Sequence, residues 1–207
     1  MATKTLAPLT NFIDLLLDAV CVVDAEGRFV FVSAACERIF GYTPEEMIGK
    51  AMIEMVAPEH RARTLEAAKE IMAGNPKLHF ENRYIRKDGR LVDIMWSARW
   101  SETEQLRIAV ARDITELKTG QEIQAALYAI SESAHVAEDL LALFQRIHQI
   151  IGKLLPAANF AVALYEKKNS ELTFPYYVDD GDQTSALRKS ALDAFSTKII
   201  QSAMSLP

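Results

Sequence analysis

Residues 78–112, LHFENRYIRKDGRLVDIMWSARWSETEQLRIAVAR, decide the fold. They hold three runs rich in β-branched and aromatic residues, parted by Lys87-Asp88-Gly89-Arg90 and by the polar stretch Ser-Glu-Thr-Glu-Gln. Asp-Gly between strand-like runs is a strong short-range hairpin signal, because both positions tolerate left-handed backbone. In the middle run Val92, Ile94, Trp96, Ala98 and Trp100 share one face, while Asp93, Ser97 and Arg99 share the other. The first set is predicted to point into a core and the second away from it.

Toward the N-terminus, residues 19–33, AVCVVDAEGRFVFVS, form two further short strand-like runs around Asp24-Ala25-Glu26-Gly27, a turn in which Gly27 supplies positive φ. Residues 34–73 change period. Thr43 before Pro44, with Glu46 three residues on, predicts a capping box opening a short helix, and a longer helix is expected from Pro58 to Ala73. Two strands, several short helices and three strands predict an α+β fold: a five-stranded antiparallel sheet with short helices on one face.

After Arg112 the pattern turns helical for about forty residues. Asp113 is expected to cap this stretch by accepting from the Glu116 amide, with Glu116 reaching back. From Ile123 a heptad places Ile123, Ile130, Ala137 and Phe144 at one position and Leu127, Ala134 and Leu141 at the other. The same residues also suit two ordinary amphipathic helices broken between Ser133 and Glu138, and the sequence leaves both readings open. Leu140, Leu143, Ile147, Ile150 and Leu154 make a second apolar stripe, which Pro156 ends. NFAVALYE and ELTFPYYVD then read as a hairpin across Lys167 to Ser170, followed by a polar loop, DDGDQTSALRKS, and a last helix, ALDAFSTKIIQSAM. Because an isolated hairpin is a marginal core, this second unit reads as unfinished at Pro207, and the chain as the front of something longer.

The 207 residues are 50% hydrophobic and 25% charged, with mean hydropathy +0.02, which excludes a wholly disordered chain. Net charge is −5 and no Lys/Arg block exceeds two residues, so the electrostatic footprint of a nucleic-acid binder is missing. Asp14 and Asp18 interrupt the apolar N-terminal stretch, so neither a membrane span nor a signal peptide is read there, and a cytoplasmic protein is expected. Cys21 and Cys36 lack disulfide-framework or metal spacing and are expected to be buried as small hydrophobes; His60, His79, His135 and His148 are scattered, which disfavours a metal site.

From about Asp18 to Lys118 the sequence resembles a PAS sensory domain of the S-box type, carried jointly by DAEGRFVFVSAACERIFGYTPEEMIGK, RKDGR and ARDITELK. Residues from about 125 to 178, including LLALFQRIHQIIGKLLPAANFAVALYEKKNSELTFPYYVDD, resemble the opening of a GAF domain. The organisation implied is an N-terminal helical cap over 1–17, a PAS domain over 18–118, a helical linker over 119–137 and a partial GAF domain over 138–207. The resemblance implies a bacterial signal-sensing module that catalyses nothing itself. It would dimerise through the helices between Thr115 and Leu155 and act on an output domain, a histidine kinase or a diguanylate cyclase, absent from these residues. The alternative is a ligand-free PAS scaffold or dimerisation module.

The resemblance places a pocket between the sheet and the short helices, with Met52, Thr64, Leu65, Asn82 and Trp96 as candidate lining residues, and a relay at Asp113 and Thr115 in the terminal DIT motif. It also disfavours known cofactors. Haem-binding relatives carry a His where Thr64 stands, and His60 reads as a capping or solvent-facing residue. Photoreceptor relatives carry a reactive Cys in a run that reads MIGKAMIEMV here, and flavin binders often carry Asn at the offset held by Tyr84. Haem, flavin and metal are all disfavoured, and any small-molecule ligand is unidentified. Arg83, Arg86, Arg99 and Arg107 have the chemistry to grip a carboxylate, but read more simply as surface charges paired with Glu81, Asp93 and Glu102.

Overall fold

The first hairpin closes around Asp24, whose carboxylate accepts the Arg28 amide at 2.7 Å, while Gly27 takes φ 83° in the turn. The computed structural model describes residues 12–137, 139–166 and 171–178. They fall into two units that divide after Thr119.

In the first unit β1 (Ala19–Val23) and β2 (Phe29–Val32) precede four helices: α1 (Ala35–Phe40), α2 (Pro44–Met47), α3 (Met52–Met55) and α4 (Pro58–Met72). Three strands follow, β3 (Lys77–Ile85), β4 (Leu91–Ser101) and β5 (Leu106–Asp113). They form one antiparallel sheet in the order β2-β1-β5-β4-β3, so the last of these five strands in sequence lies in the middle. The α+β architecture read from the sequence is thereby observed.

Helix α2 starts on the expected capping box: the Glu46 amide donates to Thr43 Oγ1 at 3.4 Å and the Thr43 amide to Glu46 Oε2 at 3.0 Å. Met47, Met55, Val56 and Ile71 from the helical side pack with Val23, Phe29, Val92, Ile94 and Trp96 from the sheet in one buried cluster. Phe40, Tyr84 and Trp96 form an aromatic triangle inside it, with ring centroids 5.2 to 6.3 Å apart. Cys21 and Cys36 are both buried, as expected, and their Sγ atoms lie 3.6 Å apart as free thiols.

On β4 the inward set Val92, Ile94, Trp96 and Ala98 is buried and Trp100 packs half-buried against the core. Asp93 departs from its expected place on an open outer face. It is only 9% exposed, because the first turn of the next helix covers that end of the sheet.

Helix α5 (Thr115–Val136) follows β5, and α6 (Leu140–Leu154) follows α5. A continuous heptad from Ile123 to Phe144 is therefore not formed: the helix stops at Val136, and the Asp139 carboxylate caps a new one by accepting the Ala142 amide at 2.8 Å. A carboxylate that satisfies an orphan amide sets a helix start, and here that local chemistry prevails over the repeat. In the second unit β6 (Phe160–Glu166) and β7 (Glu171–Val178) pair antiparallel. His148 of α6 stacks on Phe160, centroids 4.7 Å apart, and bonds at Nε2 to the Ala157 carbonyl at 2.7 Å and at Nδ1 to the Tyr176 hydroxyl at 2.9 Å. A carbonyl only accepts, so in the neutral ring Nε2 carries the hydrogen. The expected turn at 167–170, the polar loop and the last helix lie outside the described residues.

Candidate functional site

The small residues of β5 open a space between the sheet and α4. Trp96 pairs across the sheet with Ala111, and Ala98 with Ala109, while β1 sets Ala19 and Cys21 against the same two alanines. Alanine beside a large indole leaves room that a larger side chain would fill. The resulting cavity has a volume of about 50 Å³ and is lined by Val23, Phe29 and Met52, by Thr64, Ala67, Ala68 and Ile71 of α4, and by Asn82, Tyr84, Trp96 and Arg107 of the sheet, among others.

Three of the expected lining residues form one hydrogen-bond chain. Trp96 Nε1 donates to Asn82 Oδ1 at 2.9 Å, Asn82 Nδ2 donates to Thr64 Oγ1 at 2.9 Å, and Thr64 Oγ1 donates to the His60 carbonyl at 2.8 Å. Because an indole N–H can only donate, it fixes which end of the Asn82 amide faces it. Met52 also lines the cavity. Leu65 does not belong to the site: it is 47% exposed. Helix α4 turns Thr64, Ala67, Ala68 and Ile71 inward at helical spacing, and the residue after Thr64 lies about 100° round the axis. His60 lies within the first turn of α4 and is half-buried; its ring Nδ1 is buried without a partner among the described residues.

Arg107 is misplaced by the simpler sequence reading. It is 4% exposed, on the core face of β5 with Ala109 and Ala111, while Ile108 on the other face is 48% exposed. The signal was the alternation itself, in which Arg107 falls in phase with the two alanines. Its Nη2 donates to Met52 Sδ at 3.1 Å, and among the described residues no oxygen accepts from it. Burial pushes its pKa down from the ordinary arginine value, opposed by the electrostatic influence of Tyr84 and Asp24. Burial also holds the Tyr84 hydroxyl well above its ordinary value. Arg83 pairs with Asp93 at 3.1 Å, Arg86 bonds to the Arg38 carbonyl at 3.1 Å, and Arg99 is exposed.

The second site is the joint between sheet and α5. The Thr115 amide donates to Asp113 Oδ1 at 2.9 Å, and the Asp93 amide donates to Thr115 Oγ1 at 3.0 Å. The Ile114 amide donates to the Asp93 carbonyl at 2.9 Å. Asp113 therefore caps by an Asx-type turn onto the residue two along rather than by a box with Glu116, since Thr115 is held by the strand and brings its own amide within reach. Lys118, in the first helical turn, reaches Glu81 at 2.8 Å and Asp93 at 3.4 Å. The hydrogen bond to Glu81 is the chief reason its ammonium is held above its ordinary pKa. Sequence reasoning missed Asp93 and Lys118, because their pairing depends on which strand the helix start lies over.

Residues 17–116 match the family model of the PAS domain, on the same sheet and helices just described. This segment is a PAS domain. PAS domains are sensory, non-catalytic modules, and the chain is similar to the blue-light-activated histidine kinase of Brucella ovis. The two are 27% identical over 124 residues, which is 56% of this chain and 23% of that kinase; the chain thus spans about a quarter of the curated relatives it matches. Among solved structures it is similar to the PAS domain of a protein from Colwellia psychrerythraea, at 23% identity and TM-score 0.49, covering 55% of this chain and 99% of that one. It is also similar to a domain of the sensory box sensor histidine kinase/response regulator from Geobacter sulfurreducens, at 22% identity and TM-score 0.46, covering 54% and 100%. Among the described residues no helix is long and apolar enough to cross a membrane, and no group of three His, Cys, Asp or Glu is placed to hold a metal ion.

Proposed function

We propose that the chain is a cytoplasmic signal-sensing module in which the PAS sheet passes a ligand- or partner-induced bias into α5, and through it to an output domain such as a histidine kinase or a diguanylate cyclase. Asp113 and Thr115 are the relay residues. The observation that carries this reading is the bond from the Asp93 amide to Thr115 Oγ1: the helix start is fastened near the beginning of β4, so a shift of β4 moves the helix. A relay needs an element whose two arrangements a signal can tip, and a helix held at its first turn is such an element.

The reading extends to the remaining residues. Residues 119–137 serve as a helical linker and 138–207 as the opening part of a GAF domain, a reading supported by α6 and the β6–β7 hairpin. The chain pairs with a second copy through α5, where Ile123, Leu127 and Ile130 recur on one helix face and Leu127 is 63% exposed.

The test is Thr115→Val and Asp113→Ala in the protein encoded with its output domain, read as basal output, together with amide exchange over residues 114–119 in this chain. Relay requires altered output with faster exchange at the joint and an intact PAS core. Unchanged output with faster exchange reduces Asp113 and Thr115 to structural caps.

A second reading, a ligand-free scaffold, is favoured by one observation: a cavity of about 50 Å³ lies far below the roughly 300 Å³ at which drug-sized ligand sites begin.

A further inference from the structure

Arg107 brings a positive charge to an apolar cavity and meets no negative one there. Its only hydrogen-bond acceptor among the described residues is the Met52 thioether, a weak one. Asp24, the carboxylate whose charge reaches it, is engaged with the Arg28 amide. Of the other polar groups that line the cavity, Thr64, Asn82 and Trp96 are hydrogen-bonded to one another. A guanidinium does not shed its proton in proteins, so burial leaves a charge that calls for an anion rather than a neutral guest.

The size of the space narrows the choice. One water needs roughly 10–15 Å³ of such volume, so about 50 Å³ holds roughly four non-hydrogen atoms. Planar oxyanions fit the guanidinium fork through two parallel hydrogen bonds, and the remaining walls, Val23, Phe29, Ala67 and Ala109, suit a methyl group.

We propose that this cavity binds a small planar oxyanion, a carboxylate of one or two carbons or an inorganic anion of the same shape, on Arg107. The proposal rests on the sensory reading only in naming what the cavity takes. Binding is read on this chain and relay at Thr115, so each can fail alone.

The experiment titrates the chain with sodium formate, acetate and nitrate against sodium chloride at matched ionic strength, reading the PAS melting temperature and, independently, line broadening of labelled acetate and formate. A saturable upward shift of roughly 5–10 °C at ten times Kd is expected with at least one oxyanion and not with chloride. Preference for formate and acetate over nitrate assigns a carboxylate, and the reverse an inorganic anion. Arg107→Met keeps an unbranched side chain and removes the charge, so it should melt at or above wild type in anion-free buffer and lose the shift. No saturable shift and no broadening with wild type, or an equal shift in Arg107→Met, overturns the proposal. Arg107→Met melting well below wild type without anion also overturns it, by showing that the fold itself uses the charge.

Discussion

The amide of Asp93 and the hydroxyl of Thr115 are joined by a 3.0 Å hydrogen bond between residues twenty-two apart in sequence. Thr115→Val keeps the shape and removes the acceptor, leaving a part-buried amide unsatisfied at a cost of about 1–2 kcal/mol. Thr115→Ser should recover most of that loss. Chemical denaturation of the three proteins checks it, and a Val variant as stable as wild type with the Ser variant below both would mean that the methyl group rather than the oxygen matters.

Asp93 carries two cations on one nearly buried carboxylate, Arg83 at 3.1 Å and Lys118 at 3.4 Å. Asp93→Asn retains the volume but loses both charge-assisted bonds, for an expected loss of about 2 kcal/mol. Arg83→Met and Lys118→Met should each cost less, since Arg83 and Lys118 are 37% and 31% exposed. A double-mutant cycle between Asp93 and Lys118 measures the coupling directly, and additivity would show the pair to be inert.

Asn82→Ala removes the middle of the Trp96–Asn82–Thr64 chain, stranding an indole N–H and opening a hole. The expected cost is about 3 kcal/mol, read by urea unfolding, with a shift in Trp96 emission marking the altered surroundings. A loss below 1 kcal/mol would mean that water takes over both bonds.

Stability should fall on the alkaline side. The hydrogen bond with Cys36, then burial, pushes the Cys21 thiol well above its ordinary 9.0, and burial pushes Tyr84 above its ordinary 10.0. The unfolded chain gives up these protons first, so their contribution is full below about pH 9 and declines as pH rises, by up to ~1.4 kcal/mol per pH unit for each group. Urea midpoints should be flat from pH 7 to 8.5 and drop beyond. Native Cys21 should alkylate only as fast as the domain opens; rapid labelling of the folded protein would contradict its burial.

Pairing through α5 predicts a dimer that Leu127→Glu converts to a monomer without loss of PAS stability. Sedimentation at tens of micromolar, where Kd values correspond to about −6 kcal/mol, tests it. A wild-type monomer there removes the claim.

The strands and the Thr43 cap were legible because they depend on neighbours close in sequence. Thr64, Asn82 and Trp96 were legible as a set through the resemblance, although nothing in the sequence shows that they bond to each other. Leu65 failed for a local reason, since one step along a helix changes its face. Arg107 failed because an arginine in a strand is ordinarily solvated, and its burial follows from the register that sets Ala109 and Ala111 against β1 and β4. The Asp113 cap was legible in kind but not in partner, because a distant strand holds Thr115.

The strand order has a consequence for synthesis. β5 separates the β1–β2 hairpin from the β3–β4 hairpin, so as the chain leaves the ribosome the two hairpins form first, with open edges and no sheet between them. Long-range pairing of this kind is slow and exposes unpaired strand edges. Closure waits for residues 106–113, and the next residues to emerge are those of the α5 start. The domain therefore completes its sheet and fastens its outgoing helix in one late event, and a nascent chain stalled before Leu106 should be protease-sensitive throughout.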